Sequence, residues 1–323
     1  MEISQRAAAV QLDAVPADVG ANLAAVERLV DEAAAAGATV IALPEFFTTG
    51  IGFLPELADA ALPPDGEATE LLLGLARRHG AMIGGSFLAR DTDGHVRNAY
   101  LLVTAEGIAG RHDKDLPTMW ENSFYIGGHD DGVIPASEIT VGAAVCWELM
   151  RTQTVHRLRG RIDLAMTGSG WWSVPCWHPS AIFRRMETRN AATARHAAES
   201  FAGYVGAPVL HAAHAGALRC RMPWLPIDYS GRFEGGTMIV AADGAVLASR
   251  AADEGAGIVV ADIVIGRREP KAQPPKGFWL HRRGVLPALT WNYQRLHGRR
   301  YYRRHVAHKS GIRRSPAETG LGS

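Results

Sequence analysis

Three side chains with complementary chemistry each stand at the end of an apolar or strand-like segment: Glu45, Lys114 and Cys146. A thiol attacks a carbonyl or nitrile carbon as its thiolate, so it needs a neighbouring group that takes its proton. A carboxylate in a low-dielectric pocket can be that base, because burial raises its pKa. The attack leaves negative charge on oxygen or nitrogen, which a fixed ammonium and a backbone N–H can stabilise. The three residue types together therefore predict an acyl-transfer site.

Each of the three residues also has a purely structural explanation. A cysteine after an apolar run is most often a small core residue. Glu45 follows Leu43-Pro44 and could cap a helix or lie in a solvated loop, and Lys114 belongs to the charged run 111–115, which is typical of a surface. The shared setting favours the catalytic interpretation, because residues at the carboxyl ends of neighbouring strands converge above one edge of a sheet.

Several separated motifs occur in the order that is characteristic of a known family. The stretches are 8–12 (AAVQL), 43–47 (LPEFF), 114–118 (KDLPT), 127–132 (GGHDDG), 145–148 (VCWE) and 233–240 (FEGGTMIV). On these motifs the chain resembles the nitrilase, or carbon–nitrogen hydrolase, superfamily over about residues 6–265.

This resemblance implies an α/β fold, an α-β-β-α sandwich in which two sheets face each other, assembled into dimers or larger homo-oligomers. It also implies a Glu-Lys-Cys triad, here Glu45, Lys114 and Cys146. A second carboxylate, Glu121, lies seven residues after the lysine and is expected to hold it and to orient the substrate. Neither a metal nor an organic cofactor is expected.

The substrate is less sharply defined than the reaction class. The stretch Cys146-Trp147-Glu148 resembles the nitrile-cleaving branch, but Leu149-Met150-Arg151 replaces the continuation that is usual there. We therefore predict an amidase that forms a thioester on Cys146 and releases ammonia or an amine. The alternatives are a nitrilase working through a thioimidate, an amide-forming acyltransferase and a non-catalytic binding protein.

Three tryptophans are candidates for the walls of the substrate pocket. Trp147 follows the proposed nucleophile, and Trp171 and Trp172 end a predicted strand near it. Large aromatic side chains are just as common in cores, so core packing is the competing explanation. If these rings line the pocket, they favour an apolar or aromatic acyl group.

Other possible sites are weaker. His211 and His214 with Cys220 could suggest zinc, but residues three apart on a strand point to opposite faces. The segment Gly168-Ser169-Gly170 lacks the frame of a serine-hydrolase elbow, and no glycine-rich nucleotide-binding motif occurs.

Alternating periodicities indicate which elements position the candidate residues. Helices are predicted over 20–36, 67–79, 151–159 and 179–203, and strands over 7–15, 39–43, 81–89, 97–104, 139–146, 162–167, 207–213, 236–242, 245–249 and 257–264. Asp93-Gly94 and Asp243-Gly244 are typical of tight hairpin turns. Alternating helices and strands combined with hairpins predict α/β layers around a partly antiparallel sheet.

Composition places the chain among ordinary globular proteins, with 47% hydrophobic and 21% charged residues. The start of the sequence does not look like a signal peptide, and no apolar run approaches the ~20 residues that span a bilayer. Three cysteines without framework spacing favour reduced thiols and a cytoplasmic location.

The charge is unevenly distributed along the chain. Residues 1–265 carry 20 Lys and Arg against 31 Asp and Glu, and residues 266–323 carry 14 against 2. We therefore predict a carbon–nitrogen hydrolase domain over 1–265 followed by a basic extension over 266–323. Interleaved aromatic and basic residues also suit nucleic acid or an anionic membrane. Complementary charges favour contact with protein, within or between subunits, and make nucleic acid an unlikely partner.

Overall fold

The computed structural model describes residues 3–175, 177–223, 225–281 and 285–307. The strands are β1 (Ile3–Leu12), β2 (Val40–Ala42), β3 (Met82–Arg90), β4 (Val96–Thr104), β5 (Gly107–Asp113), β6 (Val133–Ala136), β7 (Ile139–Val145), β8 (Leu164–Ser169), β9 (Val209–His214), β10 (Ala217–Arg221), β11 (Asp228–Arg232), β12 (Thr237–Val240), β13 (Val246–Arg250) and β14 (Gly257–Ile265). The α-helices are α1 (Val19–Ala35), α2 (Glu67–His79), α3 (Thr152–Leu158), α4 (Ser180–Val205) and α5 (Val285–His305).

Two halves of a mixed sheet form the centre of the molecule. One half has the strand order β5-β4-β3-β2-β1-β14, and the other has the order β6-β7-β8-β9-β12-β13. They are joined where the end of β1 pairs with β9, through Gln11 with Ala213 and Leu12 with His214. Strands β10 and β11 pair separately as a hairpin.

Alternate side chains of β1 belong to two different hydrophobic cores, one on each face of the sheet. Ala7 and Ala9 point into the core between the two sheet halves, whereas Ala8 and Val10 point to the core beneath α1 and α2. Successive side chains of a strand face opposite sides, so a strand with helices on one face and a second sheet on the other must be apolar on both. Helices α3 and α4 lie on the second half of the sheet. The α-β-β-α sandwich is confirmed.

The helix boundaries follow from local capping. Asp18 is the N-cap of α1, and its carboxylate accepts a hydrogen bond from the backbone N–H of Ala21. Helix α2 matches its predicted range and ends at Gly80, which has a φ of 61°. Glycine adopts this left-handed conformation without the steric cost that other residues incur.

Strand directions bring four strand ends to one edge of the sandwich. Strand β2 is parallel to β1 and β3, and two antiparallel steps make β5 parallel to β3. Strands β7, β8 and β9 are parallel to one another, and β9 is parallel to β1. The carboxyl ends of β2, β5, β7 and β8 therefore share one edge, where Glu45, Lys114 and Cys146 follow three of them.

Beyond β14 the chain stays in contact with the body. Arg267 pairs with Asp163 at 2.9 Å, and the backbone N–H of Leu280 donates to the carbonyl of Met150 at 2.9 Å. Helix α5, which the sequence patterns did not predict, packs on the 3-10 helix Met119–Ser123. The division at residue 265 stays a prediction. In the described parts of the chain, no helix has the length and apolar character needed to cross a membrane.

Candidate active site

Four ionisable side chains meet at the common strand edge. Glu45 lies three residues beyond β2, Lys114 directly follows β5, and Cys146 directly follows β7. Glu121 belongs to the 3-10 helix Met119–Ser123, which follows the Lys114 loop. All four are almost completely removed from solvent, with Cys146 2% exposed and the three charged side chains 0% exposed.

The Lys114 ammonium lies between two carboxylates. Its Nζ atom is 2.7 Å from Oε1 of Glu45 and 2.7 Å from Oε2 of Glu121. The Cys146 Sγ atom and one carboxylate oxygen from each glutamate lie within 4.8 Å of one another. A thiol, a carboxylate and an ammonium group are thus close enough for proton transfer and charge stabilisation within one site.

The segments that contain Cys146 and Glu121 have the same backbone arrangement. Cys146 and Met119 each begin a 3-10 helix, and their φ angles are 54° and 49°. At the third helical position, Glu148 and Glu121 accept the backbone N–H groups of Val145 and Thr118, both at 2.8 Å. A positive φ is uncommon outside glycine and costs about 1–3 kcal/mol, so surrounding contacts must hold it.

The electrostatics of the site give the groups different protonation states. Burial raises the pKa of Glu45 to about 7, although the neighbouring Lys114 ammonium counteracts this effect. Burial alone would lower the pKa of Lys114, but Glu121 and Glu45 hold it well above its usual value. Burial and the Glu45 carboxylate raise the pKa of the Cys146 thiol well above its usual value. These pKa shifts favour a charged Lys114 ammonium and a protonated Cys146 thiol at neutral pH.

Sequence patterns did not reveal several residues that orient these groups. Asn98, in the middle of β4, donates its side-chain N–H to Oε1 of Glu45 at 2.9 Å, and the backbone N–H of Gly170 donates to Oε2 at 2.9 Å. The Tyr125 hydroxyl donates to Oε2 of Glu121. The carboxylates are thus fixed by donors from three separate segments, which requires tertiary contacts that spacing alone does not show.

A glycine at the end of β8 permits one of these contacts. A Cβ atom on Gly168 would lie 2.6 Å from the backbone nitrogen of Glu45, a distance that real side chains do not reach. The backbone of β8 therefore approaches the Glu45 segment directly. Glycines within a strand often mark a close backbone approach, so the Gly168-Ser169-Gly170 stretch is the feature of the sequence that could have indicated it.

The three candidate tryptophans do not form one group. The rings of Trp147 and Trp171 pack at 5.8 Å between centroids, whereas Trp172 stacks on Trp120 at 4.3 Å. Trp279 and Trp291, from the C-terminal extension, pack on Trp147 at 5.8 and 5.3 Å. Trp147 and Trp171 are 5% and 6% exposed, so much of their surface serves core packing. Their role in substrate binding stays a prediction.

The acidic side chains do not need a metal for charge balance. Within the described residues, Glu45, Glu121 and Cys146 are the one group of potential ligands close enough to share an ion. The Lys114 ammonium already lies between the two carboxylates. His211 instead contacts Thr167 at 2.8 Å, and burial lowers its pKa to about 4, as it does for His214.

Comparison with known proteins identifies the family to which this chain belongs. The carbon-nitrogen hydrolase family model matches residues 6–273. The chain belongs to the carbon–nitrogen hydrolase family. The curated relatives include nitrilases.

The curated relatives match this chain over only part of its length. An aliphatic nitrilase from Sinorhizobium fredii is 34% identical over 173 residues, which are 46% of this chain and 55% of the relative. A nitrilase from Pyrococcus abyssi is 28% identical over 42% of this chain and 53% of the relative. The chain thus spans about half the length of these two relatives. An aliphatic nitrilase from Rhodococcus rhodochrous is 26% identical over 80% of this chain and 74% of the relative.

Solved structures share the fold at lower sequence identity. An amidase from Nesterenkonia sp. AN1, with acrylamide added at its active-site cysteine, has a TM-score of 0.61 at 19% identity and covers 80% of this chain and 92% of that chain. The NitFhit protein of C. elegans has a TM-score of 0.65 at 20% identity and covers 81% of this chain and 61% of that chain.

Proposed function

We propose that this carbon–nitrogen hydrolase cleaves a non-peptide carbon–nitrogen bond of a small molecule through a thioester on Cys146. The observation that carries the proposal is the Lys114 ammonium, bound at 2.7 Å to both Glu45 and Glu121 beside a buried thiol. A structural cysteine would need no such group, and burying three charged side chains around it costs free energy. Their convergence supports a chemical role, with Glu45, Lys114 and Cys146 as the catalytic residues.

The first half of the proposed reaction forms the covalent bond. Glu45 accepts the thiol proton while Sγ of Cys146 bonds to the substrate carbon, and the π electrons move to oxygen or nitrogen. Lys114, together with the backbone N–H of Trp147, stabilises that charge. With an amide, the intermediate collapses, the carbon–nitrogen bond breaks, and Glu45 returns its proton to the leaving ammonia or amine.

The second half releases the acid. Glu45 takes a proton from water, the resulting hydroxide bonds to the thioester carbon, and the carbon–sulfur bond breaks as Glu45 returns the proton to the departing Cys146 sulfur. With a nitrile, one further water converts the thioimidate to the thioester and releases ammonia. Glu121 keeps Lys114 in place throughout, because its Oε2 atom also holds the backbone N–H of Thr118 at 2.8 Å.

The environment of residues 149–151 bears on the proposed choice between an amide and a nitrile substrate. The amide preference rests on Leu149-Met150-Arg151, yet the first two side chains are buried in the core and Arg151 binds Asp115. This difference in sequence therefore concerns how the Lys114 loop is held. The curated nitrilases and the stretch Cys146-Trp147-Glu148 favour a nitrile, which becomes the first candidate, and the amide is the second.

The test is a screen of small nitriles, amides and N-carbamoyl compounds for ammonia release, with competition between matched nitrile and amide pairs. Mass spectrometry of the intact protein should find the acyl adduct on Cys146. Cys220→Ala is the matched control, because Cys220 is also buried but lies outside the site. Absence of ammonia release and of an adduct across the whole screen would refute the hydrolase proposal.

The same experiment separates the other proposals. An acyltransferase would form the adduct and release it faster to an added amine than to water, whereas a non-catalytic binding protein would form none. The proposed homo-oligomer rests on the family resemblance and is tested by light scattering. Trp147, Trp171 and Trp172 as pocket walls are tested by the preference of the enzyme for apolar acyl groups.

A further inference from the structure

A buried carboxylate connects the segment of the proposed nucleophile to that of the proposed cation. Glu148 lies two residues after Cys146 and is completely buried. Its Oε2 atom accepts the backbone N–H of Val145 at 2.8 Å, and its Oε1 atom accepts the backbone N–H of Asp115 at 3.2 Å. The first donor directly precedes Cys146, and the second directly follows Lys114.

Two cations keep this carboxylate charged in the interior. Nε2 of His112 lies 2.9 Å from Oε2 of Glu148, and an Arg157 guanidinium nitrogen lies 3.1 Å from Oε1. The other ring nitrogen of His112 bonds to Asp130. Burial opposes ionisation of Glu148, but His112 and Arg157 outweigh it and hold its pKa well below the usual range. A buried charge is tolerated only with such complete pairing.

The loop after Lys114 is held by the same network. Asp115 bonds to Arg157 at 3.1 Å and to Arg151, and Arg151 also donates to the carbonyl of Leu116 at 3.1 Å. Strands β5 and β7 lie in different halves of the sheet, so their ends share no strand pairing. Glu148 provides a direct connection between them.

We infer that Glu148 is a positioning residue, which fixes Sγ of Cys146 relative to Nζ of Lys114 through the backbone on either side. The inference rests on the proposed function, because that assigns reaction roles to Cys146 and Lys114. Its physical basis is the φ of 54° at Cys146, a conformation that needs fixed neighbours. Misplacing a reacting group by about 1 Å can lower a rate by ~100-fold.

The test compares two carboxylates that hold opposite ends of β7. In Glu148→Gln, the side chain keeps its size but loses its charge and one acceptor atom. The control is Asp163→Asn, because Asp163 accepts the backbone N–H of Thr140 at 2.8 Å and pairs with Arg267 at 2.9 Å, far along the strand from Cys146. We expect Glu148→Gln to lower kcat about tenfold or more with KM within about twofold, and Asp163→Asn to leave both within about twofold.

A second measurement does not depend on turnover. The rate at which iodoacetamide alkylates Cys146 should fall about tenfold in Glu148→Gln and stay within about twofold in Asp163→Asn. Equal slowing in both variants, or an unchanged rate in Glu148→Gln, would overturn the inference. Failure of the wild-type protein to turn over any nitrile or amide would instead count against the proposed function, whatever the alkylation rates.

If Glu148→Gln does not fold, the less disruptive variant Arg157→Met tests the same inference. Arg157→Met removes one of the two cations but keeps an unbranched apolar side chain, and Arg157 is 16% exposed, so the fold should tolerate it. We expect alkylation and kcat to fall together by about threefold, with unchanged KM. A change in KM alone, or no change in any of the three, would contradict the positioning role.

Discussion

Burial and neighbouring charges together set the protonation of the site residues. Lys114 and Glu45 are both buried, but two carboxylates keep the pKa of the lysine high, whereas burial outweighs the lysine at the glutamate. The site therefore combines a permanent cation with a carboxyl group that titrates near neutrality. That combination is suited to a base that accepts a proton and returns it within one reaction cycle.

The pKa of about 7 at Glu45 predicts how kcat/KM depends on pH below neutrality. Only the ionised carboxylate can take the thiol proton, so kcat/KM should rise as the pH increases through about 7 and level off above it. Lys114 stays charged over this range, because its pKa lies well above its usual value. Ammonia release measured from about pH 5.5 to 9 tests this. A flat profile, or a rate that falls as the pH increases, would show that another group is the base.

Replacement of the proposed nucleophile, Cys146, should abolish the chemistry without unfolding the protein. We expect Cys146→Ala to abolish turnover and adduct formation while changing the free energy of unfolding by only about 1 kcal/mol, because a small buried group is removed. Cys220→Ala, at a residue 8% exposed in a different cluster, should keep its activity. Turnover and chemical denaturation of both variants provide the measurements. Equal activity in the two variants would remove Cys146 from the mechanism.

Cys146 and Glu121 lie in short 3-10 helices, and the longer helix α5 packs on the one that contains Glu121. Helix α5 approaches the 3-10 helix Met119–Ser123 so closely that a Cβ atom on Gly298 would lie 2.7 Å from Cβ of Asn122. Asn122 directly follows Glu121, the carboxylate that holds Lys114. The position of α5 is therefore coupled to the site through this contact.

Two helix glycines provide a matched test of that contact. Gly203 in α4 has open space around its missing side chain, so Gly203→Ala should raise the free energy of unfolding by about 0.5–1 kcal/mol. Gly298→Ala gains the same helix propensity but must displace Asn122. We expect it to lower the free energy of unfolding and to reduce kcat. Denaturant unfolding and ammonia release are the measurements, and equal stabilisation in both variants would show that the contact is loose.

Some of these elements can be predicted from the sequence and others cannot. Helix α2 is predictable because its apolar spacing is followed by Gly80, and the strand ends are predictable because apolar runs precede Glu45 and Cys146. Helix α5 escapes prediction because its apolar face is irregular and Gly298 interrupts it. The contact of Asn98 with Glu45 depends on how β4 lies against the Glu45 segment, which no local pattern encodes.

At the scale of the whole molecule, the described part of the basic extension contacts the body of the same chain. Tyr302 is 4% exposed, and its hydroxyl accepts the backbone N–H of Val96 at 3.0 Å. Trp279 and Trp291 cover Trp147, the residue after the proposed nucleophile. The predicted charge complementarity is present in pairs such as Arg267 with Asp163, but the aromatic contacts lie closer to the site.

Removing the part of the extension beyond Lys276 should therefore destabilise the protein and inactivate it. Truncation after Lys276 uncovers Trp147 and removes α5 from the helix that carries Glu121. Burying one large aromatic side chain contributes ~1.5–3 kcal/mol, so losing several approaches the whole stability of a typical domain, about 5–15 kcal/mol. The control is truncation after Ala307, which keeps all of α5 and should melt and turn over like the full chain.

The effect of salt on the melting temperature distinguishes aromatic packing from charge pairing as the source of the stability that the extension contributes. Exposed ion pairs contribute only about 0–1 kcal/mol each, and the Arg267 side chain is 49% exposed in its pair with Asp163. High salt should therefore shift the melting temperature of the full chain far less than truncation after Lys276 does. Thermal melting at about 0.05 and 1 M salt measures the difference, because screening lengths change severalfold over this range. Melting that is as sensitive to salt as to truncation would show that charge pairing, and not the packing of Trp279 and Trp291, holds the extension in place.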